Sequence, residues 1–198
     1  DQIGCDYCRE VINGIIDGFK PLPEVLSHLK EVLNWHEFLG TLNYKDDKVV
    51  TCSCADIINY PGILELVKTL KDWGFQVHLG YTSGKAIRNE EMVNNLINLG
   101  LDEINFSVFS TNPQLRGYWM RDKSPGESLK ALKLFCENIK VNVSTVVIPG
   151  VIDEEEIIRT CSSMEEWGVN TFILSRFVNL KQEGLIFNNS PILKDKQT

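Results

Sequence analysis

The chain has 198 residues, of which 43% are apolar, and a formal net charge of −7 at pH 7. This length and composition predict one globular domain with a proper core, and the acidic balance argues against a nucleic-acid partner. No apolar stretch approaches transmembrane length, and the six cysteines follow no secreted disulfide pattern, so we expect a cytoplasmic protein without a membrane partner.

Predicted helices and strands alternate along the chain and repeat about every 30 residues, as βα units do. The strands are expected at 48–54, 76–81, 103–110, 141–148 and 171–177, and the helices at 22–38, 63–73, 88–99, 127–137 and from 153 onward. The polar connection at 111–125 is long for a βα loop. We therefore predict that it is a functional loop. Its aromatic residues suggest a lid or a partner surface, and the alternative is that they simply cover the barrel mouth.

Three of the predicted helices end on an apolar or aromatic residue followed by glycine, at Gly74, Gly100 and Gly168. Glycine adopts positive φ without strain, so it is the usual residue at a left-handed helix end. Each of these glycines is followed by a predicted strand, which favours parallel βα units. In such sheets the chemistry lies at the C-terminal ends of the strands.

Among the strand ends, the segment Gly80–Lys85 has the most suggestive composition, because its small and hydroxyl residues could hold a carboxylate or a phosphate. The spacing of a Walker phosphate loop is absent. A plain βα turn without a ligand is the alternative.

Cys5 and Cys8 have the spacing of a metal-binding knuckle, in which two thiolates grip one ion from a tight turn. They supply two of the four ligands that such a site needs. Cys52 and Cys54 face one side of a predicted strand and could complete the site, although a role as small strand residues is favoured. A redox pair is disfavoured because no strand precedes the motif.

Taken together, the cysteine-rich start, the βα repeat and the glycine and hydroxyl strand ends resemble the radical S-adenosylmethionine (radical SAM) superfamily. More narrowly, several stretches are similar to the methanogenesis-marker radical SAM methyltransferases. These enzymes methylate an arginine carbon of methyl-coenzyme M reductase with the help of cobalamin. The similar stretches are 78–85, 108–111, 147–151, 176–179 and 182–186.

The resemblance implies a partial (β/α)6 TIM-like barrel whose first strand and cluster loop lie upstream of Asp1. Residues 1–20 are expected to form a cysteine-containing metal-binding loop, 21–185 the barrel core, and 186–198 the start of a C-terminal region. The cobalamin site is expected beyond this chain, which by itself is expected to be inactive. The implied protein substrate is the alpha subunit of methyl-coenzyme M reductase.

The implied cofactors are a 4Fe–4S cluster, S-adenosylmethionine and cobalamin. Superfamily members bind the cluster through C-x-x-x-C-x-x-C, but Asp1 stands where the first cysteine would fall. Two alternatives follow. Cys5 and Cys8 form half of a separate iron or zinc site, which we favour, or they are cluster ligands with unusual spacing.

The resemblance also implies roles for residues at the strand ends. Tyr81 is the expected ligand of the open cluster iron, and is favoured over Tyr44, which precedes a strand. The amine of the methionine moiety is expected at Asp56 and the Cys54–Ala55 backbone, and its carboxylate at Thr82 and Ser83. The ribose is expected at Ser107 and the adenine at Ile148 and Pro149. Arg176 is expected to be a further cofactor-binding residue.

Three other functions remain open at this point. One is a radical SAM enzyme of another specificity, in peptide maturation or cofactor biosynthesis. The second is a metal-free TIM-like barrel enzyme that binds a phosphorylated metabolite at Gly80–Lys85. The third is a non-catalytic zinc-binding module.

Overall fold

A computed structural model describes residues 19–40, 48–53, 56–148 and 150–176 of the chain. In these segments five strands alternate with six α-helices. They are α1 (Leu22–Phe38), β1 (Val49–Cys52), α2 (Ile63–Asp72), β2 (Gln76–Thr82), α3 (Glu90–Asn98), β3 (Glu103–Ser107), α4 (Pro113–Trp119), α5 (Pro125–Cys136), β4 (Lys140–Val147), α6 (Glu154–Glu166) and β5 (Thr171–Arg176). None of these helices is both long and apolar enough to cross a bilayer.

The strands form one sheet in the order β1-β2-β3-β4-β5, and every neighbouring pair is parallel. Each strand therefore pairs with the next one along the chain, as in the wall of a βα barrel, whereas a doubly wound sheet reverses its order. The predicted α/β fold with a partial TIM-like barrel is confirmed for the described residues.

The two faces of the sheet differ in chemistry. One face packs against the helices and is apolar and fully buried, with Val77, Leu79, Ile104, Phe106, Val141 and Val143 at its centre. On the other face, the half-buried Asn142 amide donates hydrogen bonds to Glu103 at 2.7 Å and Asn105 at 3.0 Å. A parallel sheet that is buried on both sides is normally apolar on both. The polar face therefore indicates a hydrated barrel interior.

The predicted helix ends are confirmed. Gly74, Gly100 and Gly168 follow α2, α3 and α6 with φ of 82°, 81° and 74°. At the start of α6, the Asp153 carboxylate accepts a hydrogen bond from the Glu156 N–H at 2.8 Å, as expected for an N-cap.

The connection at 111–125 was wrongly predicted to be a loop, because it contains α4. The Asn112 side chain caps this helix by accepting hydrogen bonds from the N–H groups of Gln114 and Leu115, and Pro113 occupies its first position. Seven residues are too few to show helical periodicity. β3 also ends earlier than predicted, at Ser107, because Phe109 leaves the extended conformation with φ of 62°.

Candidate functional site

Polar residues gather where β1, β2 and β3 end. Asp56 follows β1, Tyr81 and Thr82 end β2, and Ser107 ends β3. Because the strands are parallel, these ends share one edge of the sheet, the edge that carries the active site in βα barrels.

A buried carboxylate organises this edge. Asp56 is 7% exposed, and its Oδ1 accepts a hydrogen bond from the Thr82 hydroxyl at 2.7 Å. Its Oδ2 accepts two more from Ser83, from the N–H at 3.1 Å and from the hydroxyl at 2.7 Å. A carboxylate offers about four lone-pair positions, so Asp56 can still accept a further donor such as an ammonium group. The remaining acceptor position on Asp56 fits the amine of an amino-acid ligand.

The turn after β2 is held tightly against the core. The Thr82 hydroxyl oxygen accepts a hydrogen bond from the Gly84 N–H at 3.0 Å. Gly84 has φ of 74°, and a Cβ atom placed there would lie 2.4 Å from Cζ of the buried Phe106. Only glycine fits this position, both because of the positive φ and because of the close approach.

These contacts argue against a phosphate site at Gly80–Lys85. The backbone N–H groups of Ser83 and Gly84 donate to Asp56 and Thr82, and the Lys85 ammonium donates to the Met120 carbonyl at 3.0 Å. The buried Asp56 carboxylate would also repel a phosphate. The segment is therefore built around an anion of the protein itself and not around an anionic ligand.

A β-bulge in β2 determines on which face of the sheet Tyr81 lies. Leu79 pairs with Ile104 and Thr82 pairs with Phe106, so β2 uses one residue more than β3 over this stretch. Thr82 consequently lies on the buried face like Leu79, although the two are three residues apart, and Gly80 and Tyr81 are the half-buried residues of the bulge. Without the bulge, strict alternation would put Tyr81 on the helix-covered face.

A buried cation lies behind the strand ends. Arg116 of α4 is fully buried, and its Nε donates to the Asp122 carboxylate at 2.7 Å. Its Nη1 donates to the carbonyls of Val108 at 2.8 Å and Ser107 at 3.3 Å, and its Nη2 donates to the Ser83 carbonyl. Burial lowers the pKa of the Arg116 guanidinium, and attraction to Asp122, and then to Tyr81 and Asp56, opposes part of that fall.

The chain after β3 makes a tight turn at Phe109. The Ser110 N–H donates to the Val108 carbonyl at 2.8 Å, two residues back, and Phe109 between them has φ of 62°. A three-residue turn with positive φ is rare and strained, and for a bulky residue this conformation costs about 1–3 kcal/mol. The ring of Phe109 lies 6.4 Å from that of Trp119, centroid to centroid, and the Ser110 hydroxyl donates to the buried Glu156 carboxylate. Such strain often accompanies a functional site.

The sequence-predicted site residues fall into three groups. The structure brings Asp56, Thr82 and Ser83 into direct contact. Half-buried Tyr81, Ser107 and Ile148 lie at or beside the ends of β2, β3 and β4, and Arg176 ends the edge strand β5. Cys5, Cys8, Cys54, Ala55 and Pro149 lie outside the described residues, and the residues that the structure does describe show no cluster of three potential metal ligands.

Sequence reasoning missed three buried charged residues at this edge, Arg116, Asp122 and Glu156. Arg116 and Asp122 stand in the stretch 111–125 that was predicted to be a functional loop, and Glu156 stands near the start of the helix predicted from residue 153 onward. One available signal was that two aromatic residues, Tyr118 and Trp119, lie between the charges at 116 and 121–122, which is unusual for a solvated loop.

Comparison with known proteins identifies the family. A sequence model of the radical SAM superfamily matches residues 3–161. A candidate glycyl-radical enzyme activating enzyme of Methanocaldococcus jannaschii is 26% identical over 167 residues, which is 82% of this chain and 59% of the relative.

Two solved structures share the fold. TYW1 with a lysine–pyruvate adduct bound has a TM-score of 0.59 and 17% identity, covering 90% of this chain and 62% of TYW1. SuiB of Streptococcus suis bound to the precursor peptide SuiA has a TM-score of 0.58 and 16% identity, covering 77% of this chain and 34% of SuiB. The chain thus spans less than two thirds of each of these three proteins.

Proposed function

Because this chain belongs to the radical SAM superfamily, we propose that it supplies the S-adenosylmethionine-binding wall of a radical SAM enzyme. The observation that carries the proposal is the buried Asp56 carboxylate, fixed by three hydrogen bonds at the catalytic edge of a parallel barrel sheet. A fixed carboxylate with remaining acceptor capacity is suited to the methionine amine, and a charge-assisted hydrogen bond would orient it.

Within this site, Asp56 receives the amine together with the Cys54–Ala55 backbone. Thr82 and Ser83 have a different task from the carboxylate binding that the resemblance implies. Both of their hydroxyl groups donate to Asp56, so they hold its carboxylate in orientation. Preorganisation of this kind lowers the cost of binding.

The remaining contacts to S-adenosylmethionine are assigned along the same edge. Ser107 ends β3 and takes the ribose, Ile148 with Pro149 follows β4 and flanks the adenine, and Arg176 at the end of β5 completes the set. The support is positional: three neighbouring strands end side by side, so one extended ligand can contact all of them.

Tyr81 is assigned as the ligand of the open iron of a 4Fe–4S cluster. The support is positional: Tyr81 stands near the end of β2, and the β2 bulge takes it off the helix-covered face. When bound, the cluster and S-adenosylmethionine supply radical chemistry, and cobalamin supplies a methyl group. Cys5 and Cys8 are assigned to a second metal site, holding iron or zinc.

For the reaction, we favour methylation of an arginine carbon in the alpha subunit of methyl-coenzyme M reductase. The support is the similarity of the stretches 78–85, 108–111, 147–151, 176–179 and 182–186 to the methyltransferase family. A second candidate is the activation of a glycyl-radical enzyme, which the Methanocaldococcus jannaschii relative favours. Both reactions act on a protein, and the similar structure of SuiB has a precursor peptide bound.

The test uses the complete protein reconstituted anaerobically with iron and sulfide, then supplied with cobalamin and methyl-labelled S-adenosylmethionine. Formation of 5′-deoxyadenosine is expected, with label appearing on an arginine carbon of a reductase peptide. Deoxyadenosine with an electron paramagnetic resonance signal on a glycine of a partner protein would instead support the activating enzyme. A cluster-loaded protein that yields no deoxyadenosine would contradict the radical SAM function altogether.

A further inference from the structure

Arg116 is a buried cation that no role assigned so far explains. Its side chain is fully buried and forms an ion pair with Asp122, whose side chain is equally buried. Removing two charges from water costs free energy that apolar residues of the same volume would not require. A sequence that needed only a filled core would place a leucine or a methionine here.

The Arg116 guanidinium donates hydrogen bonds to backbone carbonyls at the ends of the strands. β2 ends at Thr82 and β3 at Ser107, and the carbonyls of Ser83, Ser107 and Val108 all accept hydrogen bonds from Arg116. Past the end of a strand, a buried carbonyl has lost its ladder partner and must find another donor. The planar fork of an arginine can serve several such carbonyls at once.

Ser83 is consequently held from both sides. Its N–H and hydroxyl donate to Asp56, and its carbonyl accepts from Arg116. Attraction between the Asp56 carboxylate and the Arg116 cation acts in the same direction. The end of β1 is therefore coupled through a single residue to the guanidinium behind β2 and β3.

Arg116 also stabilises the strained turn. The Val108 carbonyl accepts from both the Ser110 N–H and Arg116 Nη1, each at 2.8 Å. The first bond closes the turn around Phe109, and the second anchors that turn to α4. A positive φ at a phenylalanine persists only where the surroundings determine it.

We propose that Arg116 is a positioning residue that fixes the spacing between the Asp56–Ser83 pair and Ser107, and through that spacing the affinity for S-adenosylmethionine. The consequence for affinity rests on the proposed function. The coupling of the two strand ends does not rest on the proposed function.

The test compares Arg116→Lys and Asp122→Asn in the complete protein. Lysine keeps the charge but loses the fork, and Asp122→Asn leaves Arg116 in place while weakening its anchor. Arg88→Lys is the matched control, because Arg88 is exposed and contacts Lys85 and Ser124 but neither strand end. Two quantities are measured, amide hydrogen exchange without ligand and S-adenosylmethionine binding by equilibrium dialysis.

In both variants, exchange is expected to rise about tenfold in peptides covering residues 80–84 and 105–112, while α3 keeps its protection. Binding is expected to weaken about tenfold, because Asp56 and Ser107 would no longer be held at the spacing that the ligand requires. Arg88→Lys is expected to change neither quantity. If Arg116→Lys does not fold, the exchange and binding results for Asp122→Asn alone test the proposal.

Unchanged exchange at both strand ends would overturn the proposal, as would faster exchange throughout the domain with unchanged affinity. Wild-type protein that binds no S-adenosylmethionine would reject the proposed function. The exchange data would still decide whether Arg116 couples the strand ends.

Discussion

Ser83 is joined to Asp56 by two hydrogen bonds that end on the same carboxylate oxygen, one from its backbone N–H at 3.1 Å and one from its hydroxyl at 2.7 Å. Two donors from one residue fix the plane of the carboxylate more firmly than one could. The pair links the end of β1 to the turn after β2. The site is therefore formed by contacts between strand ends and not within one loop.

Gly84→Ala should destabilise the fold more than an ordinary glycine substitution. Alanine would adopt an unfavourable positive φ, at about 1 kcal/mol, and its Cβ would press on the Phe106 ring, at about 1–3 kcal/mol more. Gly74→Ala is the control, because Gly74 has φ of 82° but no atom within 4 Å of the new Cβ. Urea unfolding measures both free energies. Equal losses for the two variants would show that Gly84 is not packed on Phe106.

Phe109→Gly should be more stable than Phe109→Ala by about 1 kcal/mol, because both lose the ring but only glycine accepts φ of 62° without strain. The usual order at an extended or helical position is the reverse. Denaturant unfolding of the two variants decides the sign. A more stable alanine variant would mean that the turn is not strained.

Tyr81→Phe should leave the fold and the cluster content unchanged, since it removes only the phenol oxygen. Without S-adenosylmethionine, the substitution should change the electron paramagnetic resonance spectrum of the reduced cluster. When S-adenosylmethionine is bound, the change in the spectrum should be smaller. Tyr118→Phe is the control, because Tyr118 of α4 is 69% exposed. Identical spectra for wild type and Tyr81→Phe would remove Tyr81 from the iron and leave Tyr44 or water as the ligand.

The buried thiol of Cys136 should make the stability of the fold depend on pH. Burial raises the pKa of its thiol from 9.0 to about 11. Below pH 9 both the folded and the unfolded chain keep the proton, whereas between pH 9 and about 11 the unfolded chain loses it first. The free energy of unfolding should therefore fall as the pH rises through this window.

Cys136→Ser should remove that part of the fall, and Cys161→Ser controls for loss of a half-buried thiol. Unfolding curves across the window provide the measurement. Parallel pH profiles for wild type and Cys136→Ser would show that the buried thiol is not the source.

Local patterns in the sequence were sufficient to predict most of the fold. The helix ends at Gly74 and Gly100 and the cap at Asp153 depend on neighbouring residues alone, so the sequence around them indicates them directly. The helix α4 depends on contacts with distant partners, Ser83 and Val108. The bulge at Tyr81 depends on the pairing of β2 with β3. No local pattern indicates such contacts.

For the candidate site, the resemblance to the radical SAM family implied that Asp56, Thr82 and Ser83 contact the same ligand. It could not predict the direction of their hydrogen bonds. A hydroxyl both donates and accepts, and only the position of the buried Asp56 carboxylate determines which it does. The buried Arg116 was missed for the same reason, because its acceptors come from three separate segments.

The central claim is that Asp56 binds the amine of S-adenosylmethionine, and the most direct test is equilibrium binding to Asp56→Asn in the complete, cluster-loaded protein. Asparagine keeps the shape but loses the charge, and its NH2 group would face donors instead of accepting from them. Asp153→Asn is the control, because asparagine caps a helix as well as aspartate does. We predict that Asp56→Asn weakens binding by about tenfold or more while Asp153→Asn binds as wild type does. A folded Asp56→Asn protein with wild-type affinity would contradict the account.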